Sequence, residues 1–368
     1  MRNRKNHSRT SNVINPFGLI IRLLLVGTGL GVIAGTSLKF IALQKETSIK
    51  TSDSVITNIH LPVYELFNNI DNSIEDNYVG EDINVSSKEI VQLSTRWREL
   101  ANRNKDLNAS AFMVSLDSGS YAQFSPNSEL SAASSIKIPI LLVTLQMIDQ
   151  GKLSWNENLK LSKEVIGGGS GWMAYRPLSE SFPVYEIATE MIRISDNTAT
   201  NLLIQRVGGF DEINKQFRIL GLNNTKINNW LPDLQGTNTT SARDLALVLA
   251  LADQGEVLST RTRDLFREVM ATSVTNRLLP GGLLKGLGGQ GDPDSNLLIK
   301  GFRVYNKTGD IGIAYADAGL IQMPDNTRAV AGFIVEGPFN DPRSSSLIRE
   351  MSSAMAPILL KNHLGNQN

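Results

Sequence analysis

The order of predicted strands and helices constrains the fold of this chain more than any other feature. Residues 109–125, "ASAFMVSLDSGSYAQFS", predict a strand, an Asp-Ser-Gly turn and a second strand. Apolar residues at helical spacing dominate residues 134–270, three strand patterns follow in 301–337, and a last helix covers 344–362. A sheet built from both ends of the chain, with helices between, predicts an α+β fold. We expect an antiparallel sheet flanked by helices, with an all-helical subdomain against it.

The segment "FGLIIRLLLVGTGLGVIAGTSLKFIAL", residues 17–43, predicts one N-terminal transmembrane helix ahead of that domain. The residues between Arg22 and Lys39 are uncharged, and both flanking cations can extend to the membrane interface. The whole segment is long enough to cross a hydrocarbon core of about 30 Å. A cleavable signal peptide is the alternative, although the small residues of a cleavage site are poorly placed around "VIAGTS".

Positive charge ahead of this segment sets the expected orientation. Residues 1–16 carry four lysines or arginines, so this end should stay in the cytoplasm and the rest of the chain should be exported. The compact domain is therefore expected on the periplasmic or extracellular side of the cytoplasmic membrane. The predicted order is a cytoplasmic tail, a transmembrane anchor, a polar stalk and the compact domain, at residues 1–16, 17–43, 44–87 and 88–365.

Composition excludes several kinds of chemistry. The chain has no cysteine, which removes disulfides, thiolate metal sites and cysteine nucleophiles. Its three histidines, His7, His60 and His363, lie near the ends, which leaves none for a central Ser-His-Asp triad or metal site. Lys+Arg and Asp+Glu both total 36, so no basic excess suggests nucleic acid. We therefore predict no cofactor, no metal and no nucleic-acid partner.

Lys137 is a charged residue in the first turn of an apolar helix, within "SSIKIPILLV" (134–143). Ser134 lies three residues earlier, so the two side chains share one face of the helix. Burial would lower the pKa of the Lys137 amine, and a neutral amine near a serine can take its proton. The pair is therefore a candidate nucleophile and base. A chance Ser-x-x-Lys with a solvated lysine is the structural alternative.

Two further motifs follow in order: "SDN" at residues 195–197, between two predicted helices, and "KTG" at residues 307–309, beside the late strands. Taken singly, these read as a helix cap and a hairpin turn. Together with the Ser134 motif, they resemble the serine β-lactamase and penicillin-binding protein superfamily, most closely the class A β-lactamases. The resemblance runs from about residue 108 to 360 and includes "GGGSGWM" and "TNTTSARDLALVLALADQGEVLS".

The resemblance implies a role for each catalytic candidate. Ser134 would attack the carbonyl of a lactam or peptide, and Lys137 would help to deprotonate it. Ser195 would pass a proton to the leaving nitrogen. Lys307 would supply positive charge near Ser195 and near the carboxylate of the substrate.

The resemblance also implies substrate-binding residues. Asn197 would hold a side-chain amide of the substrate and steady the lysine, and Thr308 would hydrogen-bond the substrate carboxylate. Gly309 would let a strand-like substrate lie close to the backbone. The backbone N–H groups of Ser134 and Asp310 would form the oxyanion hole.

The chain departs from the family pattern in two places. The family has a glutamate in a loop segment like "WEPELN", and this carboxylate activates the water that releases the acyl group. Here the segment is "WLPDLQ" (230–235), so Leu231 stands at the position of the base and Gln235 replaces the asparagine. Asp233 is the one carboxylate nearby. Asp310 is the second departure, because it adds negative charge beside an expected carboxylate pocket.

Three functional interpretations remain. The first is a β-lactamase-related serine hydrolase that opens β-lactams by acylation. The second is a membrane-anchored penicillin-binding D-alanyl-D-alanine peptidase acting on peptidoglycan. The third is a binder of wall peptides that keeps the fold without catalysis. Retention of Ser134, Lys137, Ser195 and Lys307 argues against the third.

Overall fold

The computed structural model describes residues 62–75 and 88–365. The predicted tail at 1–16 and the predicted anchor at 17–43 lie outside the described residues, so the anchor stays a prediction. Within the described part of the chain, no helix is both long enough and apolar enough to cross a membrane.

The helices lie mostly in the middle of the chain and at its end. In chain order they are α1 (Pro62–Glu75), α2 (Val91–Asn102), α3 (Lys137–Asp149), α4 (Val184–Arg193), α5 (Asn197–Val207), α6 (Gly209–Ile219), α7 (Ala242–Gln254), α8 (Thr260–Met270), α9 (Leu279–Gly286), α10 (Pro293–Ile299) and α11 (Pro342–Gly365). A short 3-10 turn, Ala133–Ile136, leads directly into α3.

The strands fall into two groups, before and after the helices. They are β1 (Asn108–Ser115), β2 (Tyr121–Phe124), β3 (Leu130–Ser131), β4 (Asn158–Lys160), β5 (Ser181–Pro183), β6 (Thr239–Thr240), β7 (Arg303–Asp310), β8 (Ala314–Gln322) and β9 (Arg328–Glu336). One five-stranded antiparallel sheet has the order β2-β1-β9-β8-β7, and two small ribbons pair β3 with β6 and β4 with β5. Strands from both ends of the chain thus form one sheet, as the sequence predicts, and β7 is an edge strand.

The two faces of the sheet contribute to two separate hydrophobic cores. Along β1, Phe112 and Val114 point to the core shared with α3, α5 and α7, whereas Ala111 and Met113 point to the core shared with α2, α9 and α11. This separation follows from the alternation of side chains along a strand. The helical subdomain therefore packs on one face, and the terminal helices pack on the other.

Helix α3 is buried on all sides over its first nine residues, from Lys137 to Leu145. An apolar helix of this kind belongs in the centre of a domain rather than on its surface. It ends at Asp149, and Gly151 follows with a φ of +67°, as expected for a glycine after a helix. Lys137 therefore begins the central helix, where its amine has no direct route to bulk water.

Helix α1 lies within the segment predicted as a stalk, residues 44–87, and it packs on the domain. Val63 and Phe67 are buried, and the Phe67 ring lies 5.6 Å from the Phe112 ring on β1. Val63 N also donates to Glu256 Oε1 at 2.8 Å. The structure thus differs from the sequence-based division here, because this helix belongs to the packed domain.

Candidate active site

The candidate site is a cleft of about 270 Å³ along the free edge of β7. The 3-10 turn, the loop between α4 and α5, the loop before β6 and β7 itself meet there. Its lining includes most of the predicted site residues: Ser134, Ser195, Asn197, Leu231, Asp233, Lys307, Thr308 and Asp310. Lys137 lies behind this lining and bonds to two of its residues.

Ser134 is the second residue of the 3-10 turn and is partly exposed to the cleft. Its N–H lies in the first turn, where a helix has no internal acceptor for it. Ala133, just before it, has a φ of +45°, a conformation that non-glycine residues adopt at a cost. The backbone thus turns sharply just before Ser134, which lines the cleft.

Gly309 allows this turn to lie against β7. A Cβ on Gly309 would be 2.7 Å from Ser134 N and 2.8 Å from Ala133 Cβ. The sequence assigned this glycine to close approach of a substrate. The structure shows a different physical reason, which is contact between the strand and the turn that carries Ser134.

The N–H of Asp310 points away from the sheet. Ile311 N donates to Ala314 O on β8 at 3.1 Å, and hydrogen-bonding groups alternate between the two edges of a strand. The N–H of Asp310 is therefore directed to the free edge, towards the turn that holds Ser134. The N–H groups of Asp310 and Ser134 therefore belong to two elements in close contact.

Lys137 is completely buried, and three oxygens surround its amine. Nζ donates to Ser195 O at 2.6 Å, to Ser195 Oγ at 2.9 Å and to Asn197 Oδ1 at 2.9 Å. Burial lowers the pKa of Lys137 well below its usual value, and the charge of Lys307 lowers it further, while Asp196 opposes the shift. The amine is thus held where losing its proton is favoured.

The α4–α5 loop is shaped around that amine. Ser195 has a φ of +63°, and both of its oxygens accept from Lys137. Asp196 caps α5 by accepting from Ala199 N at 2.9 Å, and its other oxygen accepts from Trp172 N at 2.8 Å. Asp196 therefore shapes the loop.

Asn197 connects the amine to the opposite loop. Its Oδ1 accepts from Lys137, and its Nδ2 donates to Gly168 O at 2.8 Å. The amide orientation is therefore fixed from both ends, which leaves limited freedom for a substrate to reorient it.

Lys307 and Thr308 lie inside β7 and not in a hairpin turn, since the strand continues to Asp310. Lys307 Nζ donates to Thr308 O at 2.6 Å. Burial lowers the pKa of Lys307 to about 8, although the charge of Asp317 acts in the other direction. Lys307 therefore carries its charge at neutral pH and loses it above pH 8.

Leu231 forms part of the cleft wall and is only 4% exposed. Asn201 holds its backbone from both sides: Asn201 Nδ2 donates to Leu231 O at 2.8 Å, and Leu231 N donates to Asn201 Oδ1 at 2.9 Å. A Cβ on Gly167 would lie 2.2 Å from Leu231 O. The backbone at this position is thus fixed, and the side chain presents hydrocarbon to the cleft.

Asp233 is also 4% exposed, and its carboxylate serves its own loop. Oδ2 accepts from Asn238 N at 2.6 Å, and Oδ1 accepts from Thr237 Oγ1 at 3.0 Å. Lys226 and Thr239 join the ends of this loop through two backbone hydrogen bonds of 3.0 Å. The carboxylate nearest to Leu231 is therefore already engaged.

In the described part of the chain, no three histidine, aspartate or glutamate side chains could hold a metal ion.

The chain shares its sheet order, its helical subdomain and its cleft with the class A β-lactamase-like serine hydrolases. The model of the β-lactamase enzyme family matches residues 92–360, and the chain belongs to this family.

Several relatives of known sequence are β-lactamases. The chain is 28% identical over 185 residues to a β-lactamase of Bacillus subtilis (strain 168). The aligned region covers 49% of this chain and 55% of that relative. It is 25% identical over 239 residues to the extended-spectrum β-lactamase PER-1 of Pseudomonas aeruginosa, spanning 61% and 73%. The match covers 61% of a Bacillus amyloliquefaciens β-lactamase. The chain thus spans little more than half the length of the first of these relatives.

Solved structures include a more similar protein. The structure of PBP-A is 40% identical, covers 75% of this chain and 98% of its own, and has a TM-score of 0.69. A PBP-A mutant with a leucine replaced by glutamate, an acyl-enzyme complex with penicillin G, matches to the same extent. An ancestral class A β-lactamase at 22% identity and a TM-score of 0.63 shares the fold.

Sequence reasoning missed three residues that support the cleft. Asn201 fixes Leu231, while Asn306 and Asp317 bond to each other behind Thr308 at 2.9 Å. Asp317 gave one signal, as the single charged residue of the otherwise apolar β8, "AYADAGLIQ". Asn201 gave none, because its partner is a backbone thirty residues away.

We expect Gly309→Ala to lower the free energy of unfolding by about 1–3 kcal/mol, the usual cost of overpacking, because the added methyl group meets the backbone at Ser134. Gly168→Ala is the matched control, since a Cβ there meets nothing within 4 Å. Urea denaturation of both variants checks this. Equal stability of the two would contradict the close contact between β7 and the turn.

Proposed function

We propose that the protein is a β-lactamase-related serine hydrolase that forms a covalent acyl-enzyme with β-lactams through Ser134 and releases the product slowly. The observation that carries this proposal is a mismatch within one cleft. The groups that acylation needs surround Ser134, whereas the wall from which water would be activated presents the side chain of Leu231.

Acylation would use the hydroxyl of Ser134 and the buried amine of Lys137, which lies three residues later in the chain. Ser134 Oγ attacks the lactam carbonyl and forms the C–O bond, while its proton passes to the neutral Lys137 amine directly or through Ser195 Oγ. The carbonyl oxygen becomes an oxyanion between the N–H groups of Ser134 and Asp310. Such donors typically contribute about 2.7–4 kcal/mol each to the transition state.

Opening of the lactam ring requires a proton on the leaving nitrogen. Ser195 Oγ lies 2.9 Å from Lys137 Nζ, so it can give its proton to the nitrogen and recover one from Lys137. The C–N bond breaks as the nitrogen becomes an amine, and the acyl group stays on Ser134. Lys307 and Thr308 at the β7 side would hold the carboxylate of the substrate.

Deacylation lacks an evident base. A leucine can neither orient a water molecule nor accept its proton, and Asp233 directs both oxygens to its own loop. General-base assistance typically contributes about 10²- to 10⁴-fold. We therefore propose fast acylation followed by slow hydrolysis. The similarity to PBP-A supports the acylation step, since a mutant of that protein is an acyl-enzyme complex with penicillin G.

A second candidate is a membrane-anchored D-alanyl-D-alanine peptidase that acts on peptidoglycan. The buried leucine favours it, because a peptidase does not need rapid hydrolysis of a penicillin adduct. Both candidates share the acyl-enzyme at Ser134, and digestion of D-Ala-D-Ala peptides separates them. A wall-peptide binder without catalysis would form no adduct.

We expect penicillin to acylate Ser134 and no other residue. Intact mass followed over time should show a stoichiometric adduct, and peptide mapping should place it on Ser134. Ser134→Ala should remove it, with Ser135→Ala as a neighbouring control that retains it. An adduct elsewhere, or full labelling of Ser134→Ala, would falsify the assignment.

Leu231→Glu with Gln235→Asn should accelerate penicillin hydrolysis by about 10²- to 10⁴-fold, because a carboxylate then faces the acyl carbonyl. Stopped-flow measurement should show a burst followed by slow turnover for the natural protein and faster steady turnover for the variant. Leu231→Gln is the control, since it fills similar space without a base. Rapid turnover by the natural protein without a burst would show that another base is present.

We also propose that residues 17–43 anchor the protein in the cytoplasmic membrane, with the catalytic domain on the periplasmic or extracellular side. The charge asymmetry around that segment supports this orientation. Protease added to intact spheroplasts should release the domain, while a cytoplasmic marker protein stays intact. Recovery of the whole chain after such treatment, with cleavage only upon lysis, would overturn the topology.

A further inference from the structure

Asp317 is a completely buried carboxyl group directly behind the cleft. It lies on β8 opposite Thr308 of β7 in the strand register. Residues 311 and 314 share a backbone hydrogen bond, and hydrogen-bonded pairs alternate with non-hydrogen-bonded pairs along an antiparallel ladder. The pair 309 and 316 is therefore hydrogen-bonded, and the pair 308 and 317 is not. In such pairs the two side chains lie on one face and close together.

The contacts of Asp317 are all with neutral donors. Leu279 N donates to Oδ2 at 2.9 Å, Asn306 Nδ2 donates to Oδ1 at 2.9 Å, and Thr308 Oγ1 lies 3.2 Å from Oδ2. Burial raises the pKa of Asp317 to about 6, although these hydrogen bonds and the charge of Lys307 lower it in part. Both protonation states are therefore accessible near neutral pH.

Thr308 has one hydroxyl proton and two protein acceptors for it. Thr275 O lies 3.1 Å from Thr308 Oγ1, and Asp317 Oδ2 lies at 3.2 Å. The proposed function asks the same hydroxyl to donate to the carboxylate of a substrate in the cleft. A single O–H cannot serve three acceptors, so the substrate must compete with groups behind the cleft.

We propose that Asp317 is a positioning residue that sets the direction of the Thr308 hydroxyl proton. As a carboxylate, Asp317 draws this proton away from the cleft. As a carboxylic acid, it donates its own proton to Thr308 Oγ1, and the Thr308 proton turns to the carboxylate of the substrate. The inference rests on the proposed function, and it adds selection between substrates with and without a carboxylate.

Acylation by carboxylate-bearing β-lactams should therefore depend on pH. Below about pH 6 Asp317 is neutral, so acylation by carboxylate-bearing β-lactams is favoured, and this advantage is lost as the pH rises through 6. Other charged or titratable groups face this region: Lys307 and Asp310 on β7, Tyr315 on β8, Arg277 before α9 and Arg349 on α11.

Those groups do not produce the same change in acylation near pH 6. The pKa of Lys307 is about 8, so its loss of charge weakens carboxylate binding only at higher pH. Burial raises the pKa of Tyr315, so the phenol stays neutral over this range. Asp310 is exposed at the end of the strand, and its Oδ1 accepts from Gly312 N at 2.9 Å.

The experiment compares penicillin G with its methyl ester on the full chain from pH 5 to 9. The second-order rate constant of acylation is measured for each, and their ratio cancels effects on the chemical step. We expect the acid-to-ester ratio to fall about tenfold between pH 5 and 7, the size of one hydrogen bond to a charged group, and to fall again above pH 8. A ratio that stays flat between pH 5 and 7 would overturn the proposal.

Variants separate Asp317 from its neighbours. Asp317→Asn and Thr308→Val should each remove the step near pH 6 and leave the step above pH 8, whereas Thr308→Ser should keep both. Asp310→Asn is the control for a nearby carboxylate and should keep both. If Asp317→Asn fails to fold, the two Thr308 variants still decide. Persistence of the lower step in Thr308→Val, or its loss in Asp310→Asn, would contradict action through Thr308.

The outcomes also separate this inference from the proposed function. Absence of any adduct on Ser134 with either compound would remove the proposed function and the inference together. Acylation of Ser134 by both compounds with no change in their ratio would remove the inference alone.

Discussion

The buried amine of Lys137 is the constraint on which the rest of the site depends. An unpaired ammonium in a protein core costs several kcal/mol, so its position must be surrounded by oxygens. Ser195 supplies two of them by adopting a left-handed backbone, and Asn197 supplies the third. Asp196, between them, caps α5 and fixes the loop. The "SDN" motif is thus the local structure that makes a lysine at the start of the central helix tolerable, while burial and the charge of Lys307 lower the pKa of its amine.

The free edge of β7 is the second part of that arrangement. Its register with β8 directs the Asp310 N–H to the cleft and leaves Thr308 beside Asp317. Gly309 lets the strand touch the turn that bears Ser134, so the two proposed oxyanion donors come from elements in direct contact. A sheet edge and a buried helix therefore set the geometry of the proposed reaction.

The sequence predicted the sheet, the order of its strands along the chain and the residues that meet at the cleft, because local patterns and short motifs report them. It did not predict contacts that depend on strand register or on distant backbone, such as Asp317 with Thr308 or Asn201 with Leu231. It assigned Gly309 to the substrate, since a sequence cannot show which backbone lies against a strand. It did not show how Val63 and Phe67 of helix α1 are buried, because their partners are distant in the chain.

Under the proposed function, release of the acyl group depends on the side chain at position 231 rather than on the loop that carries it. The amide of Asn201 holds the backbone N–H and carbonyl of Leu231, and neither bond involves the leucine side chain. Asp233 and Asn238 close the same loop through their own hydrogen bonds. A carboxylate at position 231 would therefore enter a loop whose backbone is already fixed. Slow release of an acyl group would thus reflect the hydrocarbon facing the cleft, because the support for a catalytic base is otherwise in place.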